Sequence, residues 1–371
     1  MNLGPRIQQA RRMRGLSLRD LGERAELSAQ AISKYERGLD IPGSGSLLRL
    51  SRALEVPVEF FVRPQRVVEI RPEYRKRSSL SQKDQEALKA SILDWLDRYL
   101  EAEEIRGLPG LEFELPAGFP QDVAALPEIE RATLDLRDAW KLGWDPIENL
   151  TELLEDREVR VGVFAAEPRF DACTFVAEVD GKALPVIASR QGVPGDRQRF
   201  SLAHELGHLM IRASGDLDVE AAMNRFAGAF LVPESAARFE LGGVRRSLDV
   251  HELHLLKHKY GLSMQGWIYR ARDLGLLPET RAASLFRTFR IQGWHRREPG
   301  DALPAERPSR FERLVLQALA EDLLSETRAA ELLGKPLWQF LRFSKPASAY
   351  QAISVSLPQA PRQAHPARTP S

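Results

Sequence analysis

Five consecutive residues, His204-Glu205-Leu206-Gly207-His208, constrain this chain more than any other feature. Imidazoles four residues apart lie on one face of a helix, so both can point at one metal ion. Glu205 projects from the adjoining position, close enough to reach a water held by that ion. Neutral imidazoles with a carboxylate suit zinc, whose tetrahedral shell then keeps one position open. A water acidified by the metal and relieved of a proton by a carboxylate is a nucleophile for a peptide bond. Ser201-Leu202-Ala203 before the motif and Leu209-Met210-Ile211 after it give the helix an apolar side to bury. The plain alternative is a solvated helix that happens to carry two histidines and a glutamate.

A third ligand is required, and its place separates peptidase classes. The metzincin continuation needs Gly at 211 and His at 214, where this chain has Ile211 and Ser214. Further on, Glu220 and Asn224 stand one helical turn apart. Glu220 can complete the metal site, and Asn224 can hold it from behind by a hydrogen bond to a ligand. An exposed acid favoured by a helix N-terminus is the competing reading of Glu220.

The blocks RQRFSLAHELGHLM, EAAMNRFAGAFLVP and LKHKYGLSMQGWIYRARDLGLL resemble the ImmA/IrrE family of metallopeptidases, in the family's order, over about residues 136 to 280. That resemblance implies zinc ligands at His204, His208 and Glu220, with Glu205 as the general base. It also implies one zinc per chain and a limited, regulatory cleavage of an Xre-type repressor. Position 222, where the family often has a second acid, is Ala. Imidazole and carboxylate ligands also admit manganese or iron.

Residues 6 to 61 carry a second signal. Ser17 is placed to cap a helix over 18–25, and Ser28 to cap another running to Arg37, where Gly38 stops it. Leu18, Leu21, Ala25, Ile32 and Tyr35 can form an inner face. Ala29, Gln30, Ser33, Lys34 and Arg37 are left outward, as base and phosphate contacts require. The segment, with SAQAISKYERG and the later LLRLSRALEVPVEFF, resembles the Xre-type helix-turn-helix of phage repressors. By that resemblance the second helix enters the major groove of an operator, and the protein binds as a homodimer. Small bundles of this kind also serve for protein contacts alone.

Composition bounds the rest. The single cysteine, Cys173, excludes an intramolecular disulfide framework and fits a reducing cytoplasm. Neither a signal peptide nor a run long enough to span a membrane is evident. Net charge near +1 conceals an Arg-rich N-terminus. Pro64, Pro72 and Arg75-Lys76-Arg77 mark a basic connector, and leucines and aromatics from Leu88 to Tyr99 recur at helical spacing over 81–106. Trp140 to Asp156 reads as helix. Glu158–Phe164, Thr174–Val179 and Leu184–Ala188 read as strands, with Asp180-Gly181 as a hairpin turn. His251, His254 and His258 have ligand-like spacing, yet they sit in an ordinary amphipathic pattern. One of them, or Tyr260, is a candidate to stabilise an oxyanion.

The expected fold is α+β and mainly helical: an all-α helix-turn-helix bundle joined to a zincin-like metallopeptidase domain with a small β-sheet. The expected limits are 1–66 for the DNA-binding domain, 67–135 for a helical connector, 136–280 for the metallopeptidase domain, 281–343 for a small helical region and 344–371 for a disordered tail. Ser325 to Gly334 resembles a small helix-turn-helix unit that some family members carry at this end. The expected function is a cytoplasmic DNA-binding regulator with zinc endopeptidase activity. Its rival is a non-proteolytic transcription factor or antitoxin whose peptidase-like domain senses a ligand or binds a partner.

Overall fold

The computed structural model describes residues 3–67, 70–72, 80–108, 113–179 and 181–344. The Arg75-Lys76-Arg77 cluster, Pro109-Gly110 after the long helix, Asp180 of the hairpin turn and the tail over 345–371 lie outside the described residues. Two compact units are present, one up to Phe311 and one from Glu312 onward. The fold is mainly helical with small sheets, and no described helix is long and apolar enough to cross a membrane.

The chain opens with α1 (Gly4–Met13), α2 (Leu18–Ala25), α3 (Ala29–Glu36), α4 (Ser44–Leu54) and α5 (Glu59–Val62). Ser17 caps α2 through a reciprocal box: its hydroxyl accepts from Asp20 N, and Asp20 accepts from Ser17 N. Ser28 caps α3, which ends at Glu36 with Gly38 left-handed (φ 69°) just beyond. Leu21, Ala25 and Ile32 are buried with Ile7, Leu50, Leu54, Phe60 and Phe61, while Leu18 and Tyr35 pack at the margin. The apolar spacing thus selects one inner face and leaves the polar face of α3 in solvent.

Next come β1 (Ile70–Pro72) and α6 (Gln82–Ile105), the latter capped by Ser81. Leu88, Ile92, Leu96 and Leu100 of α6 are buried against a sheet, each stabilising the packing by roughly 1.5–3 kcal/mol of transfer free energy. The same helix meets α1 through buried polar contacts. Arg6 pairs with Asp97 at 2.8 Å, and Asp97 also accepts from the backbone of Arg66 and Val67, both at 2.9 Å. Gln9 donates to Ala90 O, and Arg63 pairs with Asp94.

The remainder of the first unit contains β2 (Gln121–Val123), α7 (Leu126–Ala139), α8 (Leu150–Asp156), β3 (Arg160–Phe164), β4 (Ala172–Val179), β5 (Lys182–Arg190), α9 (Gly195–Met210) and β6 (Ile211–Ala213). It continues through α10 (Val219–Leu231), α11 (Glu234–Leu241), α12 (Val250–Tyr260), α13 (Met264–Asp273) and α14 (Glu279–Ile291). A four-stranded sheet runs in the order β1-β4-β5-β3, antiparallel except for the β3/β5 pair, and β2 pairs in parallel with β6. Side chains alternate across the sheet. Phe175, Ala177, Val186 and Ala188 face α6, whereas Val161 and Ile187 join the larger core around α7, α9, α10 and α13.

The expected strands are all present, but Trp140 to Asp156 is helical only over α8. Lys141 and Gly143 are left-handed (φ 58° and 57°), and Pro146 follows. Buried Arg137 draws in the freed carbonyls, donating to Gly143 O and Asp145 O. In the second unit, α15 (Arg310–Ala320) leads to α16 (Glu326–Leu332) and α17 (Leu337–Ser344) around Val315, Ala318, Ala329, Leu332 and Phe340. Ser325 caps α16 and Gly334 turns the chain beyond it (φ 64°).

Candidate metal centre and recognition helix

Helix α9 carries the histidine pair, and its apolar residues Leu202, Ala203, Leu206 and Met210 fix it in the core. Ligand atoms of His204, Glu205 and His208 all lie within 4.8 Å of one another. Helix α10 crosses close by because residue 207 is glycine. A Cβ there would stand 2.9 Å from Met223 Sδ and 3.1 Å from the Phe226 ring. This approach brings Glu220 Oε2 to 3.7 Å from His204 Nε2 and Asn224 Oδ1 to 3.1 Å from His204 Nδ1. An amide oxygen accepts, so Nδ1 carries the imidazole proton and Nε2 turns its lone pair toward Glu220.

The 3.7 Å separation exceeds a hydrogen bond. It is close to the ~3.4 Å expected between two ligand atoms sharing one tetrahedral ion at zinc bond lengths. Two neutral imidazoles and a carboxylate also have the donor chemistry zinc prefers, so these residues fit the ion that the sequence implies. Glu205 is held differently. Its Oε2 accepts from Thr174 N at 2.7 Å and from Thr174 Oγ1 at 2.9 Å, and the hydroxyl also approaches Glu205 O at 3.1 Å. Thr174 escaped the sequence reading because only the register of β4 against α9 brings it there, and no spacing rule encodes that.

Behind α10, Glu130 of α7 accepts from Arg225 at 2.6 Å and from both terminal nitrogens of Arg270 at 2.5 and 2.6 Å. Burial pushes the Glu130 carboxyl up, but hydrogen bonds and charge from Arg270 and Arg225 outweigh that and hold it below its ordinary range. This network pins the helix that presents Glu220 and Asn224. On α3, Ala29, Gln30, Lys34 and Arg37 are exposed and Ser33 is half-buried. Arg37, the residue just beyond α3, reaches back with Nε to Ser33 O.

Residues 176–272 match the family model of the IrrE N-terminal-like domain, and residues 7–61 match that of the helix-turn-helix. The chain joins a helix-turn-helix domain to an IrrE N-terminal-like domain. An uncharacterized HTH-type transcriptional regulator of Sinorhizobium medicae is 41% identical over 61 residues, which are 16% of this chain and 44% of that protein. Another, from Sinorhizobium fredii, is 37% identical over 60 residues, covering 16% of this chain and 42% of the relative. The chain therefore spans less than half the length of these curated relatives.

On α12 the His254 ring lies 6.5 Å from that of His251. His254 and His258 rings lie 4.6 Å apart, and His258 Nε2 is 3.2 Å from Asp301 O. Tyr260 donates its hydroxyl to Glu240 at 2.9 Å, and burial pushes its pKa up, with Glu240 adding to the rise. Cys173 is half-buried on β4.

Proposed function

We propose that this protein is a DNA-binding regulator carrying a zinc-dependent endopeptidase, which acts in the cytoplasm by limited cleavage of an Xre-type repressor in a stress or mobile-element response. The observation that carries this reading is the convergence of His204, Glu205 and His208 within 4.8 Å, inside the segment matched to the IrrE N-terminal-like domain. His204, His208 and Glu220 would hold the metal. When bound, zinc would polarise the scissile carbonyl and lower the pKa of a water molecule. Glu205 takes the proton of the attacking water on its carboxylate. It then gives that proton to the leaving amine as the C–N bond breaks.

Asn224 keeps the His204 ring turned with Nε2 toward Glu220. Outer partners of this kind hold ligand orientation, so Asn224→Ala should weaken zinc binding by ~10–100-fold. Competition against a chromophoric chelator measures this, and an unchanged affinity removes Asn224 from the site. For the DNA arm, Gln30 and Ser33 would read bases while Lys34 and Arg37 contact phosphates, in a homodimer on a palindromic operator. Lys34→Ala should weaken binding to any duplex and lower the salt slope by about 1. Anisotropy titrations over a salt series give that slope, and an unaltered value takes α3 off the DNA.

The function itself is tested by comparing new protein termini in native cells carrying the wild type with those carrying Glu205→Gln, with and without stress. A terminus that depends on Glu205 and lies inside a DNA-binding repressor is the expected result. Equal terminus profiles, with gene regulation intact in the variant, would favour a non-proteolytic regulator.

A further inference from the structure

Glu205 lies where it has two incompatible uses. Its carboxylate is within 4.8 Å of ligand atoms on both His204 and His208, near enough to bind the same ion. A carboxylate that coordinates the metal fills the position a water would take, and it is then no base for that water. Something has to hold it to one use.

The hold comes from β4. Thr174 N donates to Glu205 Oε2 at 2.7 Å, and Thr174 Oγ1 donates to the same oxygen at 2.9 Å. The hydroxyl has a single proton, and the charged carboxylate is a stronger acceptor than Glu205 O at 3.1 Å. Both donors are rigid. The amide belongs to a strand paired with β5 along its whole length, and a β-branched side chain has few χ1 settings. Thr174 is 2% exposed and Glu205 6%, so little water competes for the oxygen. One bond would let the carboxylate swing about it, whereas two from different directions fix it. Glu220 is in a different position: its side chain is 36% exposed and comes to 3.7 Å from His204 Nε2.

We propose that Thr174 is the positioning residue that keeps Glu205 off the metal, so that Glu220 ligates and Glu205 stays a base. This rests on the peptidase reading above and deepens it. Thr174 acts through the carboxylate it holds. Removing an ordinary support of a ligand weakens metal binding, as expected for Asn224. Removing the Thr174 hydroxyl should not, because its loss offers the ion another donor.

Full-length protein is titrated with cobalt chloride, whose visible d–d bands report the ligands around the ion. Thr174→Val keeps the shape and the backbone N–H and removes the hydroxyl. It should shift the bands and bind cobalt at least as tightly as the wild type. Adding Glu205→Gln should abolish the shift, leaving the spectrum of Glu205→Gln alone. Thr174→Ser, which retains the hydroxyl, should match the wild type. In native cells Glu205-dependent termini should form ~10–100-fold more slowly with Thr174→Val. If Thr174→Val does not fold, Thr174→Ala carries the same comparison.

Unmoved bands in Thr174→Val, or a shift that persists in the double variant, would overturn the proposal. So would Thr174→Ser behaving as Thr174→Val, or cobalt bound more weakly whether Glu205 is present or replaced. The spectra do not depend on turnover. A shift that needs Glu205, with no Glu205-dependent terminus in any cell, fails the peptidase reading and leaves the hold on Glu205 standing. A wild type that binds no cobalt ends both.

Discussion

Glu205→Gln is expected to keep zinc at about one ion per chain and to lose peptide hydrolysis by ~10²–10⁴-fold or more, the range set by removing a positioned general base. Glutamine has the same shape, and its amide oxygen can still accept from Thr174 N and Oγ1. It cannot take a proton from water near neutral pH. His204→Ala should behave otherwise. It removes a proposed ligand together with the imidazole that Asn224 orients, so metal and hydrolysis should vanish together. Metal content after dialysis, measured beside cleavage, separates the two variants. The comparison also decides a point of geometry. Glu205 belongs to the trio converging within 4.8 Å, whereas Glu220 is placed by its approach to His204. Zinc lost from Glu205→Gln and retained in Glu220→Gln would exchange their proposed roles.

Glu130→Ala should destabilise the first unit by about 3–5 kcal/mol, the usual cost of stripping the partner from a buried charge. Arg270 has a side chain only 1% exposed, and it would keep its charge without its carboxylate. Arg225 would retain Asp273 at 3.0 Å, so the loss falls mainly on Arg270. Urea unfolding followed by tryptophan fluorescence reports the change. A loss below about 1 kcal/mol, the range of exposed pairs, would refute the network's role. The pH dependence has a definite sign. The folded carboxyl titrates below its unfolded value, near 4.3, so its stabilisation is complete above that pH. It disappears as pH falls through the lower folded value. Glu130→Gln should therefore show a shallower loss of stability in acid than the wild type.

What the sequence made legible was local. Ser17 and Ser28 cap the helices they were expected to cap, because a cap needs only its own first turn. The histidine pair and the Glu220/Asn224 pair are each set by spacing along one helix. What remained hidden depends on distant partners. Glu306 accepts from Leu150 N and Thr151 N at the start of α8, across more than 150 residues. Arg137 uses the carbonyls of the loop that had read as helix. The linker's basic composition gave no hint that Ile70–Pro72 would enter a sheet, and Thr174 acquires its contact only through that sheet's position on α9.

The polar seam between α1 and α6 bears on how the recognition helix would be carried. Arg6, Gln9, Arg63 and Val67 belong to the N-terminal segment, while their partners Asp97, Ala90 and Asp94 lie on α6. Leu88, Ile92, Leu96 and Leu100 of the same helix bury against the sheet whose β4 holds Glu205 through Thr174. A buried ion pair that loses one partner leaves a stranded charge, at a cost of about 3–5 kcal/mol. The bundle that presents α3 is thus no pendant module on a slack tether: pulling it from α6 would strand Arg6 and Asp97 together, so the two would turn in solution as one body.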